Sequence, residues 1–324
     1  MSFIALLLAL LLEQARPRSA SAGIDKLFIQ WADWLRHTLD AGDKRHAWIA
    51  WGLAVVLPCA LTVLVHWLLW WFGGWFLAML WSLVVLYATL GFRRFSHHFS
   101  GIRDALSTGD DDLARELLRQ WQGDLEPNMP RSEIVRHVIE HSSISAHRHV
   151  FGVIAWFSVL AAMGLGPAGA VFFRLSALLS TDWAASSDSS QLDAAHSSPA
   201  LQEVTALAWR QVDWVPARMT GLSFAVVGNF EDAVDAWRQD AQHFPNANDG
   251  VVLAATAGAI NVRLGGVGLR PASKEALSDD PLVQPTAGRE PEVAHLRSMV
   301  GLVWRAVVMW MVLLALLTLA RLLG

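Results

Sequence analysis

The sequence predicts an all-α fold: a polytopic integral membrane protein with cytoplasmic amphipathic helices. Three observations carry that expectation. Of 324 residues, 54% are apolar and only 17% are charged, below the roughly 25% charged content of ordinary soluble domains. Seventeen tryptophans stand beside a single tyrosine, and indole rings favour the boundary between lipid and water. Long apolar runs recur at the length of about 20 residues that a spanning helix needs. The net charge of −4 offers no basic stripe to neutralise phosphates, which excludes nucleic acid as a partner. Cys59 is the one cysteine. It rules out an intrachain disulfide or a cysteine-based zinc site and leaves the compartment open.

Residues 1–15 form an N-terminal apolar anchor, too short to span a bilayer alone. No basic residue precedes the run, while Arg16, Arg18 and Lys26 follow it. That order suits an uncleaved anchor with its C-terminal side in the cytoplasm, rather than a signal peptide cut near Ala20 and Ala22. Residues 47–92 read as a transmembrane hairpin that turns at Gly73-Gly74. Basic residues (Arg36, Lys44 and Arg45; Arg93, Arg94 and Arg103) flank its two bases and place both on the cytoplasmic side. Within the first arm Pro58 is expected to kink the helix, and His66 to be packed or interfacial.

Residues 93–149 are polar and form a cytoplasmic helical segment. Asp110, Asp111 and Asp112 suit the positive end of a helix, and Ser132 suits an N-cap. Residues 150–179 are apolar but broken by "GLGPAG" at 164–169, which predicts two half-helices or a re-entrant segment instead of one straight span. Residues 182–200 have the Ser/Ala/Asp composition of a linker. Residues 201–269 are again helical, 270–297 form a loop, and 298–324 are a C-terminal transmembrane helix with Arg305 and Arg321 near its ends.

Residues 212–229, "VDWVPARMTGLSFAVVGN", place an aspartate, a proline and an arginine in an apolar stretch. Leu201, Val204, Ala208, Val212, Val215, Met219, Leu222 and Val226 recur at alternating spacings of three and four, one face of a helix. Asp213 and Arg218 fall off that face, and Pro216 must bend or break the helix. Ala217 and Gly221 form a small-residue pair that lets another helix approach.

The chemistry-bearing residues are few. His137 and His141 stand one turn apart, the spacing for a shared metal, with Glu140 beside them. The H-E-x-x-H pattern is absent, so the pair reads as interfacial histidines and no metal is assigned. No P-loop and no nucleophile elbow occur. "RLGGVG" at 263–268 could let a backbone approach a phosphate.

Four stretches in order, "TGDDDLARELL" (108–118), "GPAGAVFFR" (166–174), "DWVPARMTGL" (213–222) and "NANDGVVLAATAGAINVRLGG" (246–266), resemble the CobD/CbiB family of membrane proteins. The third also resembles AmpE, a short inner-membrane relative linked to β-lactamase induction. The resemblance implies a multi-pass protein of the bacterial inner membrane. It also implies an ATP-dependent amide ligation of adenosylcobyric acid with an aminopropanol phosphate, with Mg²⁺ held by carboxylates and amides. It nominates Glu140, Arg174, Asp213, Arg218, Asn248, Asp249, Arg263, Gly265 and Gly266 as ligand-binding residues. Plainer roles stand beside these: an ion pair for Arg218, a cytoplasmic anchor for Arg263, a helix cap for Asn246 and Asn248.

Departures from the family pattern are as informative. Ile144 and Ser145 stand where the synthases carry a Glu-Asn pair, and Arg148 where they carry an aspartate. Ala177 and Ser180 occupy an Asn and an Asp position, Trp209 and Arg210 a pair of aspartates, and the N-terminal Asp-Pro and His-Pro motif is missing. These losses favour a degenerate, AmpE-like sensor or ligand-binding protein. The alternative is an adenosylcobinamide-phosphate synthase using ATP and Mg²⁺, with its ligands moved onto Asp110 to Asp112, Glu140 and Asp249. A transporter ranks third, because few ionisable groups lie in the spans. The expected partners are the lipid bilayer, a corrinoid or phosphorylated small molecule, and a second copy of the chain.

Overall fold

A computed structural model describes residues 2–15, 21–123, 129–185, 197–266 and 285–323. In chain order its helices begin with α1 (Ser2–Ala15), α2 (Ser21–Leu39), α3 (Lys44–Thr89) and α4 (Phe92–Thr108). Then follow α5 (Asp111–Gln122), α6 (Arg131–Ala146), a π turn (His147–Phe151), α7 (Gly152–Ala162) and α8 (Ala168–Ala185). The remainder are α9 (Pro199–Val212), α10 (Trp214–Val227), α11 (Phe230–Asp240), α12 (Ala247–Ile260) and α13 (Val293–Leu323). Among the described residues the one β-type pairing is an isolated bridge, Val262 to Arg289. Three helical stretches are long and apolar enough to cross a membrane: Lys44–Thr89, Arg131–Ala162 and Val293–Ala320. The fold is an all-α membrane protein.

The chain divides into two compact units, Met1–Gly91 with Arg148–Pro216, and Phe92–His147 with Ala217–Gly324. In the first, α3 leaves helical geometry at Gly74 (φ 66°, ψ −160°) and runs back along itself, so that the Trp81 indole donates to the Thr62 carbonyl. The backbone stays helical through Pro58, whose carbonyl accepts from the Thr62 hydroxyl. α7 and α8 are joined by a tight turn in which Gly164 and Gly166 have positive φ. The Trp67 indole donates to the Gly164 carbonyl, and His66 packs on Gly166. At the start of α9, the Asp40 carboxylate accepts from the backbone N–H of Ser198, while the Ser198 hydroxyl caps Leu201.

In the second unit α11 and α12 pack together, with Asn229 and Asn246 as side-chain N-caps. α12 ends at Asn261 in the left-handed conformation (φ 50°). The chain then runs extended. Arg263 donates its backbone N–H to Arg289, and Thr286 donates its own to Leu264. The Thr286 hydroxyl in turn accepts from the Leu264 N–H. α13 lies on α6, where the Ser143 hydroxyl meets the Met299 sulfur.

Several expectations are corrected. The boundary at residues 149 and 150 falls inside one continuous helical run, Arg131–Ala162; a change in polarity does not stop a helix whose hydrogen bonds continue through a π turn. α6 begins after Pro130, not after Ser132. The closing helix starts at Val293, within the stretch read as loop, because its polar first turn is still helical. The linker read at 182–200 begins with the end of α8, and its residues 186–196 lie outside the described residues, as do 267–269 of the helical region read at 201–269 and 270–284 of the loop.

The stretch around Pro216 is corrected most. The helix breaks at Asp213, between α9 and α10, and Pro216 sits in the first turn of α10, where a missing N–H costs nothing. The break shifts the helical phase. Leu201, Val204, Ala208 and Val212 are buried, but Val215, Met219, Leu222 and Val226 are exposed. The buried face of α10 is instead Ala217, Thr220, Phe224 and Ala225, and Gly221 packs against Val251 of α12. In lipid an outward apolar face carries no penalty, so hydrophobicity alone does not mark the packed side. Asp213, read as off the packed face, is fully buried.

Candidate functional site

Several polar residues of α6 are buried. Arg136 and Glu140 stand one turn apart on one helix face, and both are buried. Glu140 Oε1 accepts from the Gly265 N–H at 2.7 Å, and Arg136 Nη1 donates to the Gly265 carbonyl at 2.8 Å. Arg136 is also ion-paired to Glu133, and its Nε lies 3.8 Å from Glu140 Oε1. Both backbone groups of one residue are thus gripped by an acid and a base from a single helix. Gly265 and Gly266 have φ of 82° and 98°, a region that a side chain disfavours. The clamp and the Thr286 and Arg289 pairing hold this glycine turn in place. Among the described residues, the second oxygen of Glu140 and Nε2 of His137 are buried without a hydrogen-bond partner.

Farther along the second unit, Arg218 of α10 donates to the Asn248 side chain at 3.1 Å. Asn246 caps α12 by accepting from the N–H groups of Asn248 and Asp249. A half-buried guanidinium therefore stands beside a side chain in the first turn of a helix, the end whose dipole favours anions. Arg263 is exposed.

The His141 ring packs edge-on against Trp121 at 4.3 Å, and Trp121 stacks on His98. Asp110 caps α5 through the Leu113 N–H, Asp112 pairs with Arg115, and Asp111 lies 3.7 Å from Arg131. The aspartates thus serve the start of α5. Among the described residues no three His, Cys, Asp or Glu side chains come together to hold a metal ion, so the donors in view do not fit a resident Mg²⁺.

Arg174 and Asp213 belong to the first unit and are buried there. The same unit brings together two departures from the family pattern that lie far apart in sequence. The Arg148 guanidinium lies 5.7 Å from the centre of the Trp209 ring, within cation–π range, and Phe173 packs on the same indole at 5.3 Å.

Sequence reasoning missed Arg136, Thr286 and Arg289 as partners of the glycine turn. The spacing of Glu133, Arg136 and Glu140 was the available signal for the first; nothing local signals the other two. His147, one of four clustered histidines at 137, 141, 147 and 149, has its Nδ1 2.9 Å from the Thr220 hydroxyl, a partner no local signal gives, and Trp310, which sequence reasoning missed, donates to Ser223. Both are polar pairs between packed helices of the kind that fix membrane bundles.

Helices able to cross a bilayer and a glycine turn clamped from one of them define the class: an all-α integral membrane protein with a buried polar cluster. The chain belongs to the CobD/Cbib protein family, whose model matches residues 3–190 and 203–320. It is similar to cobalamin biosynthesis protein CobD of Stutzerimonas stutzeri, at 29% identity over 84% of this chain and 82% of that protein. A protein of the same name from Chromobacterium violaceum is 29% identical over 56% of this chain and 54% of its own length. One from Mycobacterium tuberculosis is 40% identical over 28% and 30%. No solved structure matches.

Proposed function

We propose that the chain acts in cobalamin biosynthesis as an adenosylcobinamide-phosphate synthase of the bacterial inner membrane, with its polar helices on the cytoplasmic side. The observation that carries this reading is the Glu140–Arg136 clamp on Gly265. It keeps a glycine turn, which only residues without a side chain adopt readily, in one conformation. The shared name of the relatives supports the pathway. In this reading Arg218 and the first turn of α12 receive the phosphate of an aminopropanol phosphate, by charge and helix dipole. Arg136 and Glu140 position the glycine turn, and the chain's helices present the site to a corrinoid. ATP supplies the energy of amide formation.

A second reading has its own observation. Arg148 over Trp209 fills, with a cation and an indole, positions where the resemblance expects carboxylates. That favours an AmpE-like binding or sensing protein without ligase activity. Complementation separates the two. A strain lacking adenosylcobinamide-phosphate synthase should regain cobalamin-dependent growth when this chain is expressed. Failure of rescue by protein abundant in the membrane would leave the sensing reading.

A further inference from the structure

Within the second unit one buried carboxylate is only half used. Glu140 is 3% exposed and His137 is 5% exposed, one helical turn apart on α6, where residues at i and i+3 are neighbours. Glu140 Oε1 is occupied by Gly265. Its other oxygen and His137 Nε2 have no hydrogen-bond partner among the described residues. Leaving such an acceptor buried and unmade costs the desolvation of a charged group, so native structures rarely keep one without a use. The local charge says what would satisfy it. Arg136 is shared between Glu133 and Glu140, so the cluster carries one net negative charge when both carboxylates are ionised. A neutral hydroxyl would supply a donor but no compensating charge; a guanidinium brings more N–H groups than two acceptors can meet.

We propose that Glu140 and His137 form a subsite for a primary ammonium group. One N–H of the ammonium goes to the second oxygen of Glu140 and another to Nε2 of His137, in the tautomer that carries its proton on Nδ1. Arg136 and Gly265 hold the carboxylate in place by fixing its first oxygen. Applied to the synthase reading, on which the identity of the ligand rests, the ammonium is that of the aminopropanol phosphate. Glu140 is then the residue that selects an amine over an alcohol.

The test is calorimetric binding to the full-length protein in lipid nanodiscs. The probes are aminopropanol phosphate, ethanolamine phosphate and the amine-free isopropyl phosphate. The wild type should bind both amines at least about tenfold more tightly than isopropyl phosphate, the effect of one hydrogen bond to a charged group. Glu140→Gln keeps an oxygen for the Gly265 N–H and should erase that preference without lowering the thermal midpoint. His137→Gln, a second variant that leaves the clamp intact, should reduce the preference several-fold. Equal binding of amine and amine-free probes by the wild type, or a preference that survives Glu140→Gln, would overturn the subsite; a water molecule then satisfies the carboxylate. The two readings fail separately. A preference for amines without genetic rescue sinks the synthase and keeps the subsite, whereas rescue without the preference sinks the subsite alone.

Discussion

The two units place charged side chains in different ways. In the first, the Arg148 guanidinium lies on the Trp209 face with Phe173 against the same ring. This arrangement is structural, since an indole spreads the cost of a cation without offering a ligand position. In the second, Arg136 and Glu140 divide the backbone of Gly265 between them, and an acceptor is left over. One arrangement sets a cation on an aromatic face. The other grips a glycine turn with a carboxylate and a guanidinium from one helix, and it is the one on which the proposed function rests.

Substitutions can break this contrast. Trp209→Ala removes the ring beneath Arg148 and beside Phe173, and should cost about 3–5 kcal/mol, read as a lowered thermal midpoint in detergent. Glu140→Ala deletes the acceptor of the Gly265 N–H and should cost about 2–3 kcal/mol. Limited proteolysis should then cut near residues 263–266 in this variant and not in Trp209→Ala. Gly265→Ala forces a side chain into positive φ at a cost of about 1–2 kcal/mol, and should expose the same cleavage.

The smallest effect sharpens the first unit's side. Burial, followed by the nearby Asp33, raises the Asp182 carboxyl above its ordinary value, against the opposing pull of Arg36. Its charged form is disfavoured in the fold, so this contribution to stability is present below the unfolded pKa and is lost as pH rises through the raised value. Asp182→Asn should therefore raise the thermal midpoint slightly at neutral pH, with the gain vanishing as pH falls toward the ordinary aspartate range. A lowered midpoint at neutral pH would show that Asp182 is held by attraction instead.

How far the sequence could be read depended on whether the signal was local. The membrane class follows from composition and run length, because a bilayer imposes both on any helix that crosses it. The phase of α10 could not be read that way. Val215, Met219, Leu222 and Val226 continue the apolar spacing of α9 past Asp213, yet they face outward, since lipid and protein interior are equally apolar. Pro216 was the visible breaker, but the chain uses it where a helix tolerates it. For the site, the sequence nominates Glu140 and Gly265 separately. Their contact spans 125 positions, and no periodicity encodes a partner so distant. Asp213 looked like a flank residue and is buried, because charge alone does not tell a solvated position from a satisfied one.

The proposed function rests on the second unit, with the Arg148–Trp209 stack supporting the fold. The most direct test is complementation of a strain lacking adenosylcobinamide-phosphate synthase by three proteins matched for membrane abundance. Rescue is expected from the wild type and from Trp209→Phe, which keeps an aromatic face for Arg148, and loss of rescue from Glu140→Gln. Rescue by Glu140→Gln, or none by the wild type, would contradict it.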